Sequence, residues 1–251
     1  MNNTPFHLHN KVILVTGASS GIGREIAIAA AKMGATLIIT GRNITELKVT
    51  FNQLEGEHHQ MLGADLTNEN DLEHLTSQLP LLDGIVLNAG VSDPFPIKYL
   101  TAKKIEQTFH INFNASVLLI ATLLRKKTIQ NQASIVFVSS VSASFPSKGG
   151  AMYGSSKAAL ENFSKVLALE LSHQKIRSNC VAPGMVKTAI YNQVENVISK
   201  EAMEKHIEQY PLGVGTPEDV ANSVVFLLSD ASRWITGTNI VADGGYILKG
   251  T

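Results

Sequence analysis

Tyr153 and Lys157 stand four residues apart in Tyr153-Gly-Ser-Ser-Lys157, thirteen and seventeen residues after Ser140. On a helix this spacing puts phenol and ammonium on one face, about 5–6 Å apart at Cβ. An ammonium so placed favours the phenolate and is expected to draw the tyrosine pKa down from about 10. Such a phenol exchanges protons near neutral pH, which is general acid–base chemistry. Ser140 belongs to a serine-rich set with Ser139, Ser142 and Ser144, and only its distance from Tyr153 singles it out.

A second constellation lies far upstream, in Thr16-Gly17-Ala18-Ser19-Ser20-Gly21-Ile22-Gly23. The preceding run, Lys11 to Thr16, is short, β-branched and apolar, and reads as a buried strand stopped by glycine. The following run, Arg24 to Met33, reads as a helix closed by Gly34. Gly17, Gly21 and Gly23 therefore occupy a strand-to-helix turn. Without Cβ atoms they let backbone amides approach a pyrophosphate at the positive end of the helix. A dinucleotide pocket facing a proton-transferring phenol is the reading that joins the two constellations.

The elements that must hold them alternate along the chain. Strands are expected at Val12–Thr16, Thr36–Thr40, His59–Ala64, Gly84–Asn88, Ser134–Ser139, Arg177–Ala182 and Asn239–Ala242. Helices are expected at Gly23–Met33, Ile44–Leu54, Glu69–Gln78, Ala102–Leu124, Tyr153–His173 and Pro217–Ser229. Apolar strands separated by helices imply parallel pairing through right-handed crossovers. The fold class expected is α/β, a doubly wound, Rossmann-like parallel sheet with helices on both faces. No linker, repeat or low-complexity segment divides the 251 residues, so one domain is expected over 1–251. Two helical stretches, Ala158–Leu171 and the second half of Ala102–Leu124, are apolar on most faces. That pattern is expected to serve self-association, with a homotetramer as the assembly.

Composition excludes several classes. The formal charge is zero and the pI about 7.1, so no basic field favours nucleic acid. The single cysteine, Cys180, lies in an apolar stretch and reads as a small buried hydrophobe; no intrachain disulfide can form. The eight histidines make no ligand pattern, and no metal is expected. The first ten residues have neither a basic region nor an apolar core, and the apolar stretch Val117–Leu124 is far shorter than the roughly 20 residues of a membrane span. A cytoplasmic protein without a membrane segment is expected.

Taken together, the motifs resemble the short-chain dehydrogenase/reductase family over essentially the whole chain. The glycine turn resembles its cofactor turn, and Asn88-Ala89-Gly90 its motif after the fourth strand, with Leu87 where relatives often have a second Asn. Ser140, Tyr153 and Lys157 match the family's catalytic spacing, and Asn112 its fourth catalytic position. Pro183-Gly184 with Thr188 resembles the nicotinamide-holding segment, and Asp243-Gly244-Gly245 the C-terminal signature. The resemblance implies that Tyr153 passes a proton to a carbonyl oxygen that Ser140 hydrogen-bonds, while Lys157 tunes the phenol and grips the ribose. Asn112 would hold a proton-relaying water through its backbone carbonyl in a distorted helix; alternatively it is a helix-interior hydrogen-bonder. The cofactor would lie against Gly17, Ser19, Ser20, Gly21, Ile22, Gly23, Arg42, Asp65, Leu66, Asn88, Ala89, Gly90, Tyr153, Lys157, Pro183, Gly184, Val186 and Thr188. Asp65 resembles the adenine-contacting carboxylate, or else helps to cap the next helix. A mobile substrate lid is implied around residues 189–213.

At the end of the second strand, Gly41 takes the place where NAD-using relatives carry Asp, and Arg42 follows. A guanidinium suits a 2′-phosphate, so NADP(H) is the expected cofactor, with a plain surface charge as the other reading of Arg42. By length and motifs the nearest-looking members are the 3-oxoacyl-(acyl-carrier-protein) reductases, which implies a ketone or thioester ketone substrate and an acyl carrier protein as partner. A sugar, polyol or xenobiotic carbonyl reductase fits the same motifs. A non-catalytic dinucleotide sensor would be favoured by loss of Tyr153 or Lys157, and neither is lost. Met203, Tyr191 and Tyr210 in the lid are expected to offer apolar surface to the substrate, or else to seat the lid on its own subunit.

Overall fold

The computed structural model describes residues 4–92, 94–188 and 200–249. Seven strands form one parallel sheet: β1 (Val12–Thr16), β2 (Thr36–Gly41), β3 (Gln60–Gly63), β4 (Leu82–Leu87), β5 (Ile129–Val138), β6 (Arg177–Pro183) and β7 (Asn239–Ala242). Their order is β3-β2-β1-β4-β5-β6-β7. The chain order reverses between β1 and β4, and the crevice beyond the C-terminal ends of these two strands is where such sheets take ligands.

Both faces of the sheet are covered, which is why the strands read as unbroken apolar runs. Along β1, Ile13 and Val15 point into one core while Leu14 points into the other. The first core packs the sheet against α1 (Gly21–Lys32) and α8 (Pro217–Leu228), where Ala27, Ala30 and Ala221 let the helices approach. The second packs it against α3 (Glu69–Ser77), α5 (Ala115–Arg125) and α6 (Ala151–Glu170). Phe113, Phe163 and Phe137 meet edge to face at 6.1 and 6.0 Å, tying the segment before α5 to α6 and β5. Fully burying a side chain of this size contributes about 1.5–3 kcal/mol.

Three departures from the expected elements affect the site. The helix expected from Ala102 is not continuous: α4 (Ala102–Phe109) and α5 are joined by a π-helical turn, His110–Asn114. The run has the length and hydropathy of a membrane span, but Leu119, Ile120 and Leu123 lie buried in the second core. Strand β5 begins at Ile129 instead of Ser134, through an irregular register opposite Leu82 and Gly84 and a left-handed Gln132. Polar Gln130, Asn131 and Gln132 hide this extension from any apolar pattern. Finally, α1 starts at Gly21, two residues early, so the glycine turn itself forms the first helical turn. Between α1 and α3, α2 (Ile44–Phe51) is capped by Asn43, whose side chain accepts from the Glu46 amide.

Arg177, the arginine nearest the lid in sequence, opens β6 and is buried. Its guanidinium donates to Leu227 O at 2.8 Å, Ser232 Oγ at 2.8 Å and Ser229 O at 3.2 Å. Burial lowers its pKa from the ordinary arginine range, with Asp230 acting in the opposite direction. Its three bonds join β6 to the end of α8, and it does not line the cavity described below, so it has no role toward substrate. We expect Arg177→Met to lower stability by about 3 kcal/mol, because three buried bonds between β6 and the end of α8 are lost together. Urea denaturation of the unliganded protein measures this; a change within about 0.5 kcal/mol would show the bonds to be dispensable.

Candidate active site

The glycine turn is compact because two positions tolerate no side chain. Gly17 is left-handed, with φ 63°, and a Cβ there would lie 2.9 Å from Ala89 Cα. A Cβ on Gly23 would overlap the Gly17 carbonyl and the Asn88 amide. Asn88, just past β4, donates from Nδ2 to Thr16 O at 3.3 Å and Gly17 O at 3.2 Å. The N-cap of α1, Ser20, makes no side-chain capping bond, and the first turn carries no acid. The first-turn amides thus keep their partial positive charge, which fits the pyrophosphate of a dinucleotide.

Next to this turn, Gly41, Arg42 and Asp65 line one end of a cavity of about 620 Å³. A Cβ on Gly41 would meet Ser19 Oγ at 3.4 Å, an ordinary contact, so packing does not demand glycine there. Asp65 Oδ1 accepts from the Thr67 amide at 3.0 Å and the Thr67 hydroxyl at 2.7 Å. Partial burial opposes ionisation of Asp65, but Thr67, Arg42 and His110 outweigh it and hold the pKa below the ordinary value. The cap of α3 is not Asp65 but Asn68, whose side chain accepts from the Asn70 and Asp71 amides.

At the inner end Ser140 follows β5, and Tyr153 and Lys157 project from the first turns of α6. Lys157 is buried and donates from Nζ to Val138 O at 2.9 Å; its Nζ lies 5.8 Å from the centre of the Tyr153 ring. Desolvation lowers its pKa from 10.5 to about 8. The expected depression of the Tyr153 pKa is not found. Desolvation raises it above the ordinary value, and the Ser140 hydroxyl only partly opposes that rise. Desolvation outweighs the Ser140 hydrogen bond, so the phenol is a protonated donor at neutral pH.

Nearly every residue assigned to the cofactor or the chemistry lines this one cavity. Gly23 and Asn112 are the exceptions, and each supports the wall from behind. Asn112 lies in the π turn, fully buried. Its Oδ1 accepts from the Val91 amide at 2.8 Å, while Nδ2 donates to Val91 O at 2.9 Å and Ser156 Oγ at 3.1 Å. It pins the segment after β4 to α6. A Cβ on Gly90 would sit 3.2 Å from Asn112 Oδ1 and 3.4 Å from Lys157 Nζ, so this glycine lets the cavity wall reach the lysine.

The opposite wall was only partly foreseen. Pro183, Gly184, Val186 and Thr188 are there as expected. His206, at the end of α7 (Lys200–Ile207), and Tyr246, opening α9 (Tyr246–Lys249), join Tyr210 in an aromatic cluster. Tyr210 and Tyr246 stack at 4.7 Å, and His206 meets them edge-on at 5.6 and 5.5 Å. Desolvation lowers the His206 pKa and pushes that of Tyr210 up to about 12, so both side chains are uncharged at neutral pH. Met203 is buried and absent from the cavity lining, and so seats α7 on its own subunit. Tyr191 and the rest of 189–199 lie outside the described residues. Phe145, Met185, His206 and Tyr246 had no signal of spacing; the fold brings them together from four segments.

A family model described as enoyl-(acyl carrier protein) reductase matches residues 17–247. The chain belongs to the short-chain dehydrogenase/reductase family. It is 34% identical over 243 residues to a 3-oxoacyl-(acyl-carrier-protein) reductase of Rickettsia felis, covering 96% of this chain and 98% of the relative. With L-xylulose reductase of Caenorhabditis elegans it shares 34% over 243 residues, covering 94% and 96%. Among solved structures, a 7α-hydroxysteroid dehydrogenase complexed with NADH and 7-oxo glycochenodeoxycholic acid superposes with a TM-score of 0.86 at 28% identity, covering 98% of each chain. A short-chain dehydrogenase/reductase of Brucella melitensis described as glucose/ribitol dehydrogenase gives 0.89 at 28%, covering 96% and 98%. As a short-chain dehydrogenase/reductase, the protein is an oxidoreductase of carbonyl and alcohol groups that binds a nicotinamide dinucleotide.

The lysine gives a pH test. Between about pH 8 and 10.5 the unfolded chain holds a proton that folded Lys157 has released, so raising the pH through this window stabilises the fold. Below it both states are protonated, and the cost of burying the ammonium is complete. We expect the stability of Lys157→Met relative to wild type, read by urea denaturation without dinucleotide, to be most favourable below pH 8 and to decline toward 10.5. A difference flat in pH would show that the buried amine is not desolvated.

Proposed function

We propose that this chain is an NADP(H)-dependent reductase that converts the ketone of a 3-oxoacyl thioester, or a closely related carbonyl, to a secondary alcohol in the cytoplasm. The observation that carries the reading is one cavity with Ser140, Tyr153 and Lys157 at its inner end and the glycine turn with Arg42 at the other. The nicotinamide supplies the hydride. Tyr153, protonated at neutral pH, donates its proton to the carbonyl oxygen. Ser140 donates a hydrogen bond to the same oxygen and stabilises the charge that grows there. Lys157 holds the ribose hydroxyls and, with a pKa near 8, returns a proton toward the phenol. The backbone carbonyl of Asn112, in the π turn, holds the water that resupplies Lys157.

Substrate class follows from what the walls lack. Among the described lining residues the only Lys or Arg side chains are Arg42, at the outer end, and Lys157, which is bonded to Val138 O and assigned to the ribose, so a compact carboxylate finds no arginine beside the reacting carbon. Val141, Phe145, Met185 and the aromatic cluster give an acyl chain apolar surface. The names of several relatives supply the thioester and suggest an acyl carrier protein as partner. Leu118 on α5 and Val166 and Leu169 on α6 are exposed apolar side chains, which supports assembly of a homotetramer through these helices.

Tyr153→Phe should lower turnover of 3-oxoacyl thioesters by about 10²–10⁴ and leave NADPH affinity nearly unchanged. Steady-state kinetics with thioesters, cyclic ketones, L-xylulose and free oxo acids tests the substrate class together with this loss; preference for free acids would overturn it. Cofactor choice has its own test. Wild type should prefer NADPH, and Gly41→Asp with Arg42→Ala should move the kcat/KM ratio toward NADH. A wild type that favours NADH would remove Arg42 from the site.

A further inference from the structure

The carbonyls of the glycine turn are held from behind; of its amides, that of Ala18 is spent on Thr40 O at 3.1 Å, while Ser19 and Ser20 line the cavity. Asn88 takes Thr16 O and Gly17 O. The next carbonyl, Ala18 O, accepts from Thr50 Oγ1 at 2.8 Å. The one after it, Ser19 O, accepts from Arg24 Nη2. Four successive carbonyls are thus tied down by three side chains from three elements. The two latter side chains also meet each other, Arg24 Nε donating to Thr50 Oγ1 at 3.0 Å. The same guanidinium pairs with Glu46 Oε2 at 2.7 Å, in the first turn of α2. That turn directly follows Arg42 and is capped by Asn43.

From this arrangement we propose that Arg24, with Thr50 and Glu46, is a positioning device for the dinucleotide. It fixes the two peptide planes that carry the Ser19 and Ser20 amides so that these face the pyrophosphate, and it ties that turn to the Gly41–Arg42 segment. Arg24 touches no dinucleotide itself. Its guanidinium is committed to Ser19 O, Thr50 Oγ1 and Glu46, and it is not among the cavity-lining residues. A peptide plane free to flip would present its carbonyl oxygen to the phosphates, replacing attraction by repulsion. A hydrogen bond from a charged donor to a half-buried carbonyl has the magnitude needed to hold it.

The inference rests on reading the cavity as a dinucleotide site, and its test needs no carbonyl substrate. NADPH and NADH are titrated separately by nucleotide fluorescence against wild type, Arg24→Met, Arg24→Lys, Thr50→Val and Arg42→Ala. Arg24→Met should weaken both dinucleotides by about tenfold, since both carry the pyrophosphate, and Thr50→Val should do likewise. Arg24→Lys, which keeps the charge and can reach one acceptor, should recover part of the loss. Arg42→Ala should weaken NADPH alone. At saturating NADPH the kcat of Arg24→Met should stay within about threefold of wild type, because its effect lies in ground-state binding. A lower thermal midpoint with unchanged dissociation constants would make Arg24 a packing residue and overturn the proposal. Weakening of NADPH alone would make Arg24 a direct phosphate ligand and overturn it equally. Should Arg24→Met not fold, Thr50→Val, nearly isosteric, decides by the same titration. A wild type that binds neither dinucleotide would refute the reading of the cavity itself and this inference with it, before any variant is compared.

Discussion

One hydroxyl holds the place where the sheet changes direction. Thr16 Oγ1 donates to Val86 O at 3.2 Å and accepts from the Asn88 and Ala89 amides at 3.1 and 3.3 Å. It lies at the end of β1, fully buried, and stitches that strand to the segment leaving β4. Beyond this point the two segments part, one into the glycine turn and the other toward Gly90. The crevice has its width because they diverge there, and its floor because they do not diverge sooner. The fixed peptide planes of the turn and the close approach of Gly17 to Ala89 both depend on this junction.

Burial and charge are balanced differently at the two ends of the cavity. At the outer end Arg42 and Asp65 are accessible and act through ordinary Coulomb attraction. At the inner end an amine is buried, and among the described residues it has no salt-bridge partner and only a backbone carbonyl accepts from it. An unpaired buried ammonium is costly, and its lowered pKa expresses that cost. Tyr153 is affected with the opposite sign, as a neutral acid kept neutral. Two groups whose ordinary pKa values lie close together at about 10 are therefore driven apart by the same loss of solvent.

Much of this was legible beforehand, for identifiable reasons. All seven expected strands form, and apart from the first residues of β5 they stand within two residues of their expected bounds, because a sheet covered on both faces needs apolar runs. Tyr153 and Lys157 come together because helix geometry turns a spacing of four into proximity, and Ser140 joins them from the end of β5. The start of β5 was hidden by polar residues held by strand pairing and a left-handed Gln132. The rise in the Tyr153 pKa could not be read, since desolvation depends on the surrounding tertiary structure whereas the Lys157 neighbour is local. Arg24 and Thr50 looked like ordinary helix residues; the partners that join the turn to α2 lie 22 to 32 residues away across a helix boundary. His206 and Tyr246 were equally unmarked, forty residues apart and adjacent only in the fold.

The π turn at His110–Asn114 amounts to one residue more than an α-helix would use over the same rise. Each α-helical residue turns the chain by about 100°, so α4 and α5 are out of phase with each other by that angle. Asn112 reaches Val91 and Ser156 from within this offset. Deleting a single residue here would regularise the helix and improve its own hydrogen bonding while swinging Asn112 out of reach of both. Local regularity and the shape of the cavity wall are therefore opposed in this segment. What guards the wall against drift is the number of residues between Phe109 and Ala115, a property of chain length that no side-chain substitution can alter.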